Sequence, residues 1–236
     1  MICKIADLVV QIPDAGGLAP RCKSYSHDES SIPDIVIEES RYRKNKYPEN
    51  SSQDMIAYME SAYQFYLELI LFDGLYLHSS AVVKDGRAYL FSGHCGAGKS
   101  THARLWRKTF GDDVVMINDD KPALRKMDGI WYAYGTPWCG KDGINCNMKA
   151  PLAGICFMKK AKENKIRRLS KQEAMEKVLA QTIRRFPNVE MLDRMLGYLD
   201  NLLEKIPVYE LENLPESEAA VLSYQTMVRA AQEAGL

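Results

Sequence analysis

The sequence predicts an α/β fold, with α+β as the alternative, on three observations. Strand-like and helix-like segments alternate along the chain, a glycine loop joins an apolar run directly to a helical stretch, and 236 residues suffice for one sizeable domain with at most a small companion. The expected division is a small N-terminal β layer over residues 1–53 and a phosphate-loop domain over residues 54–236, together one compact unit.

Residues 2–12 mix apolar and polar side chains and end at Pro13, which reads as a strand. Residues 11–33 are polar and rich in Pro, Gly and Ser, residues 35–38 form a second short strand, and residues 41–53 are polar and basic, a loop. From Asp54, a candidate N-cap, Met55, Met59, Tyr63, Tyr66, Leu67 and Ile70 recur three or four apart, the spacing of a helix with one buried face. Asp73-Gly74 ends it. Residues 75–83 and 88–92 are apolar runs joined by Lys84-Asp85-Gly86-Arg87, with Asp-Gly at the tip of a hairpin. Residues 101–110 read as a helix and residues 114–117 as a buried strand that ends in Asn118-Asp119-Asp120. Further strands fall at 129–134 and 155–159, with a glycine-rich loop over 135–147 between them. Ser170 and Glu173 make a capping box for a helix through Arg185. A second helix runs over 189–205, a strand over 208–211 follows Pro207, and a last helix starts near Pro215.

Bulk properties exclude several functions. Thirty-one basic residues balance thirty-one acidic ones, so neither a nucleic acid nor an anionic membrane is expected as partner. The six cysteines form no C-x-x-C pair and no zinc spacing with histidine, which fits reduced thiols. The longest apolar stretch, residues 67–77, is broken by Glu68, Asp73 and Gly74 and falls short of the roughly 20 residues a bilayer requires. The N-terminus has no secretory pattern, and the expected compartment is cytoplasmic.

The chemistry concentrates in Gly93-His94-Cys95-Gly96-Ala97-Gly98-Lys99-Ser100, which satisfies G-x-x-x-x-G-K-[ST] at every fixed position. By average residue usage a chain of this size matches by accident about once in a hundred. The preceding strand and following helix are the setting the motif requires. Its glycines let backbone N–H groups face phosphates, and the helix N-terminus adds partial positive charge. Residues Gly93 through Thr101 are therefore the candidate ATP-binding segment, with Lys99 on the β and γ phosphates and the Ser100 hydroxyl on Mg²⁺. About twenty residues on, Asp119 and Asp120 close an apolar strand, where a carboxylate either holds the metal, takes a proton, or merely caps a turn.

These pieces resemble the HPr kinase/phosphorylase and phosphoenolpyruvate carboxykinase superfamily. Leu77-His78-Ser79-Ser80-Ala81 is similar to its histidine-containing strand, Gly93 to Thr101 to its phosphate loop, and Ile117-Asn118-Asp119-Asp120 to its paired-aspartate strand, over about 45 residues closely and loosely to residue 160. The resemblance implies a mixed sheet with flanking helices. It implies Asp119 as the general base toward a serine hydroxyl, Asp120 with Ser100 as metal ligands, and His78 at the active site, where carboxykinases use it on a transition metal. Mn²⁺ is thus an alternative to Mg²⁺. The large N-terminal domain of the carboxykinases and the glycine-containing signature segment of the HPr kinases have no counterpart here. Small kinases of the superfamily that act on free serine or on a serine of a ribosomally made peptide are closer in kind. The HPr kinase branch forms closed oligomers, so a homo-oligomer is compatible.

The loop Gly135-Thr136-Pro137-Trp138-Cys139-Gly140-Lys141-Asp142-Gly143 has two readings: a flap that brings Lys141 onto a transferring phosphoryl group as a catalytic cation, or a surface turn with an exposed lysine. Asn145 and Asn147 are candidate hydrogen-bonders to substrate. His102 and Arg104 are expected to be partly solvated, and Trp106, Trp131 and Trp138 to be packing residues. The basic run of Lys159, Lys160, Lys162, Lys165, Arg167 and Arg168 reads first as a solvated hairpin and second as a docking patch for an acidic peptide. The sum is an ATP- and Mg²⁺-dependent kinase that phosphorylates an alcohol, a serine in a peptide, protein or free amino acid. A non-catalytic ATP-binding sensor or scaffold and a carboxykinase-like lyase are the alternatives.

Overall fold

The structure, a computed structural model, describes residues 1–14 and 16–233. The N-terminal layer opens with a hairpin of β1 (Ile2–Ile5) and β2 (Leu8–Gln11), not the single strand expected over residues 2–12. Ala6 and Asp7 take positive φ, 52° and 61°, and reverse the chain within two residues. After the short α1 (Ala19–Cys22), β3 (Ile35–Val36) joins parallel to β2. The helix α2 (Gln53–Glu68) is capped by Ser52, whose Oγ accepts from the Met55 N–H at 3.2 Å. Asp54 falls instead in the first turn, where its charge favours the helix dipole. Ile5, Val10, Leu18 and Tyr25 bury against Phe65, Tyr66 and Trp138, so this layer shares a core with the rest of the chain.

The remaining elements are β4 (Gly74–Tyr76), β5 (Ser79–Lys84), β6 (Arg87–Ser92), α3 (Lys99–Phe110), β7 (Val115–Asp120), β8 (Ala123–Met127), β9 (Ile130–Tyr134), β10 (Lys149–Lys160), β11 (Lys165–Arg168), α4 (Lys171–Ala180), α5 (Val189–Lys205), β12 (Val208–Asn213) and α6 (Ser217–Glu233). The molecule is α/β: a mixed sheet with helices on both faces. Period-2 alternation on β6 decides which side chain meets which helix. Tyr89 and Phe91 meet Ala103 and Trp106 of α3 and Met227 of α6, while Ala88 and Leu90 meet the core built on Val178 of α4 and Leu199 of α5.

The sheet path runs β4-β8-β9-β10-β6-β5-β7. Its two ends are tied by short connections, from Tyr76 to Ser79 and from Asp120 to Ala123, each with two intervening residues and spanning at most ~11 Å. The sheet must therefore curl. At that corner the ladders β4/β8 and β5/β7 continue one another but break at Leu77-His78 and at Lys121-Pro122: the His78 N–H goes to the Gln181 carbonyl, the Lys121 N–H to Asn118 Oδ1, and Pro122 has no N–H to donate. Asp120 sits at the break with φ 143°.

Three expectations fail for identifiable reasons. β8 was not expected because Arg125 and Lys126 make it read as polar, yet Arg125 is buried and donates to the carbonyls of Phe72 at 2.9 Å and Ala6 at 2.6 Å. The basic run is no hairpin, since β12 lies between β10 and β11 and pairs with both. The capping box on Ser170 forms, but α4 stops at Ala180. Tertiary bonds pull the next residues out: the Gln181 carbonyl accepts from the His78 N–H at 2.9 Å, and Thr182 Oγ1 donates to the Tyr76 carbonyl at 2.5 Å. Among the described residues no helix is long and apolar enough to cross a membrane.

Candidate functional site

Strand register collects the site. Ser79 lies opposite both Ser92, the last residue of β6, and Asp120, the last residue of β7; Ser80 lies opposite Asp119. The glycine loop leaves β6 at this same edge, and Ser92 Oγ donates to the His78 carbonyl at 2.8 Å. Gly93 (φ 140°) disfavours any side chain, since its backbone is one that L residues rarely adopt and a Cβ would come within 3.1 Å of the Met158 carbonyl oxygen and 3.2 Å of Ala97 Cβ. Gly96 and Gly98 also have positive φ, 77° and 101°, but their missing side chains would project into open space. Gly98 caps α3 without a side-chain acceptor, so the first N–H groups of that helix are left for an external one. His94 and Cys95 are exposed, Ala97 and Ser100 are half-buried, and Thr101 is exposed.

Lys99 turns back over the loop and donates to the carbonyls of Gly93 at 3.1 Å and His94 at 3.2 Å. Burial pushes its ammonium below the ordinary lysine value, against the opposing pull of Asp120 and Asp119. Asp119 is 7% exposed and its Oδ1 accepts from Ser80 Oγ at 2.5 Å. Its Oδ2 faces the Arg104 guanidinium at 3.8 Å. Asp120 has His78 Nε2 at 3.1 Å from Oδ1 and the Lys121 ammonium on Oδ2. Burial alone would raise the Asp120 carboxyl; the His78 hydrogen bond and Lys121 outweigh it and bring it down to about 2. The other ring nitrogen of His78 lies 3.1 Å from Gln181 Oε1, so both nitrogens are engaged. Lys121 in turn sits 4.9 Å from the centre of the Tyr58 ring.

The loop after β9 closes one wall. Its backbone runs against β7, with the Asp119 N–H donating to the Ile144 carbonyl at 3.1 Å and the Cys146 N–H to the Ile117 carbonyl at 3.0 Å. Gly135 and Gly140 make the approach feasible: a Cβ would stand 1.9 Å from the Cys146 carbonyl at the first and 2.7 Å from the Asp119 carbonyl at the second. Lys141 is exposed at the tip, between Gly140 (φ 72°) and Gly143 (φ 67°), and the neighbouring Asp142 is ion-paired with Arg104 of α3. Asn145 and Asn147 are committed to the scaffold, donating to the carbonyls of Thr136 and Arg21 and of Ser24 respectively.

Sequence reasoning thus named the loop, His78 and both aspartates, which the fold gathers on one edge. It missed Ser80, Arg104, Lys121 and Gln181. Ser80 was legible as the residue after Ser79 in the histidine-containing run, while Gln181 is over a hundred residues from His78 and carried no signal. His102, expected to be partly solvated, is fully buried between α3 and α6. Beside the loop, Gly93 and His94 line a cavity of about 360 Å³ with Phe157, Lys177, Gln181 and Glu210.

No curated protein sequence matches the chain. Among solved structures, the HPr(Ser) kinase/phosphatase from Coxiella burnetii is similar over 66% of this chain and 95% of that chain, at 13% identity and a TM-score of 0.36, a likeness too loose to assign a function. The sequence model of the family described as SynChlorMet cassette protein ScmC matches residues 45–193, which take in the glycine loop, both aspartates and Gln181. The chain belongs to the SynChlorMet cassette protein ScmC family.

Proposed function

We propose that this chain is an ATP- and Mg²⁺-dependent kinase that transfers the γ-phosphoryl group to a serine hydroxyl. The observation that carries the reading is the convergence of Lys99, the Ser80–Asp119 pair and the His78–Asp120–Lys121 group on one strand edge. The residues suit the nucleotide. Gly96 and Gly98 leave open space where a phosphate chain would lie, and the uncapped start of α3 offers N–H donors. Ser100 and Asp120 supply hard oxygen ligands of the kind Mg²⁺ prefers, and the carboxylate of Asp120 is ionised at neutral pH. Bound there, the metal would supply charge neutralisation at the β and γ phosphates.

The chain's own residues do the rest. Ser80 holds Asp119 Oδ1, which leaves Oδ2 as the atom that takes the acceptor proton. As that O–H bond breaks, the acceptor oxygen bonds to the γ phosphorus and the bond from phosphorus to the β–γ bridging oxygen breaks, releasing ADP. Lys99 leaves its loop carbonyls for the phosphates, and Lys141, poised on the loop that lies against Asp119, adds charge from the open side. His78 orients Asp120 through Nε2 and is itself held by Gln181. A histidine with both nitrogens engaged supports a positioning role over the transition-metal ligation a carboxykinase-like lyase would need.

The test is incubation with γ-labelled ATP and Mg²⁺ against separate pools of free amino acids, peptides and protein extract, with a chelated control. Label is expected in a serine-containing pool, and none after chelation. ATP binding without label in any pool would replace the kinase with an ATP sensor.

A further inference from the structure

A groove of about 670 Å³ is lined by Arg43, Tyr63, Thr182, Ile183, Arg184 and Arg185. It exists because the fold brings the basic segment before α2 against the segment that follows α4. Tyr63 is the joint: its ring lies 3.3 Å from the Arg43 guanidinium carbon and 5.8 Å from the Lys46 ammonium, and its hydroxyl donates to the Arg185 carbonyl at 3.1 Å. Glu60 fixes Arg43 from behind, accepting from Nε at 2.7 Å and Nη2 at 2.9 Å. Arg184, Arg185 and Lys46 are exposed, and among the described residues no carboxylate pairs with any of them.

Uncompensated cations around one groove need a reason in a chain of zero net charge. Most of the basic run over residues 159–168 already has one. Lys159 pairs with Glu212 and Arg167 with Glu173 and Glu210, and Lys165 and Arg168 stand on the edge strand β11, where charge blocks unwanted strand pairing. Arg184 and Arg185 are on no strand. They follow Gln181 and Thr182, which are bonded to His78 and Tyr76 at the corner of the site. Three extended steps from Gln181 to Arg184 span at most ~11 Å.

We infer that this groove docks an acidic segment of the phosphoryl acceptor, which is then a peptide or protein whose serine lies roughly three to five extended residues from a cluster of Asp and Glu. Naming the docked segment as the acceptor rests on the kinase reading; the docking itself does not. A peptide is favoured over a nucleic acid because apolar surface accompanies the cations. Ile183 lines the groove, and Met59, one turn before Tyr63 on the same helix face, is 40% exposed.

The experiment is fluorescence anisotropy with a labelled peptide that carries one serine within an Asp/Glu run. Its Asn/Gln counterpart and a single-stranded oligonucleotide of equal charge are the comparisons. The acidic peptide is expected to bind at least ten-fold tighter than the amide peptide and tighter than the oligonucleotide. Paired Arg184→Glu and Arg185→Glu substitutions should weaken it at least ten-fold and the corresponding Gln pair by less, with binding of a fluorescent ATP analogue unchanged. Equal affinity for the two peptides, tighter binding of the oligonucleotide, or undiminished binding by the Glu pair overturns the docking. If the acidic peptide binds as expected but takes no phosphate from ATP, the kinase reading falls and the docking stands. If both peptides are phosphorylated equally and charge reversal changes nothing, the kinase stands and the docking falls.

Discussion

Two polar networks flank α3, and they differ in what surrounds them. On the α6 side His102 Nε2 lies 2.9 Å from Ser223 Oγ, which also accepts from Trp106 Nε1 at 2.9 Å and donates to the Ala220 carbonyl at 3.0 Å. With its one proton spent on Ala220, the serine oxygen must accept from His102, so the ring carries its hydrogen on Nε2 and leaves Nδ1 bare and unpartnered. Among the described residues no carboxylate is paired with it, and burial drives His102 down to about 3, a neutral side chain sealed in the core. On the loop side the groups are ions: two carboxylates and two lysines meet at an edge that His78, Asp120 and Arg104 leave partly open to solvent. Burial of polar groups is common to both. Opposed charges with a route to solvent belong to one alone, and that separates a candidate reaction centre from a satisfied core.

The largest contrast is expected from Asp119→Asn. If Oδ2 takes the acceptor proton, transfer should fall by about 10² to 10⁴-fold, the usual range for loss of a general base, while nucleotide affinity and stability hold. Turnover retained in single-turnover assays of that variant would remove Asp119 from the mechanism. Lys99→Ala comes next. A charge-assisted hydrogen bond is worth about 1.5–3 kcal/mol, so nucleotide affinity should drop roughly 10- to 100-fold by titration calorimetry. Unchanged affinity would mean that the loop does not hold phosphate through this ammonium.

How much of this contrast the sequence held depends on the range of the interactions. The loop, the Asp-Gly hairpin and the capping box are local, with backbone demands met by neighbouring residues, and all three appear where expected. Asp119 and Asp120 were legible because they end an apolar strand. The state of Asp120, however, comes from His78 and Lys121, and the ring of His78 is held by Gln181 from a segment that the capping box on Ser170 assigned to a helix. The role of His102 was misread for the same reason: its partner, Ser223, is 121 positions away, and nothing around His102 reveals that α6 will cover it. The groove at Tyr63 is the extreme case, since its cations come from segments about 140 residues apart, one read as a polar loop and the other as the end of a helix.

The sealed network offers a smaller and opposite effect. Ser223→Ala deprives both the Trp106 and His102 N–H groups of their acceptor inside the core, which should cost about 1–3 kcal/mol of stability in urea unfolding. Nucleotide affinity and transfer should not change. A variant that keeps full stability would mean the two donors find other acceptors, and one that loses nucleotide affinity would join the two networks.

The smallest effect tests the sign of the His102 shift. An ordinary histidine titrates near 6.5 and His102 in the folded chain at about 3. Between those values the unfolded chain binds a proton that the folded chain refuses, so stability is full above the ordinary value and is lost as pH falls through this window. The loss attributable to His102 is about 1 kcal/mol between pH 6.5 and 5.5. Asp120 also favours the folded state less as acid is added, but its shift runs from 3.8 to about 2, below that interval. His102→Gln keeps a donor for Ser223 and cannot titrate, so its urea midpoint should stay level across pH 6.5 to 5.5 where that of the parent chain declines. The opposed ions around Asp120 would be untouched by this substitution. Equal declines in the two proteins would place the acid-sensitive group elsewhere and remove the distinction between a sealed neutral network and an open charged one.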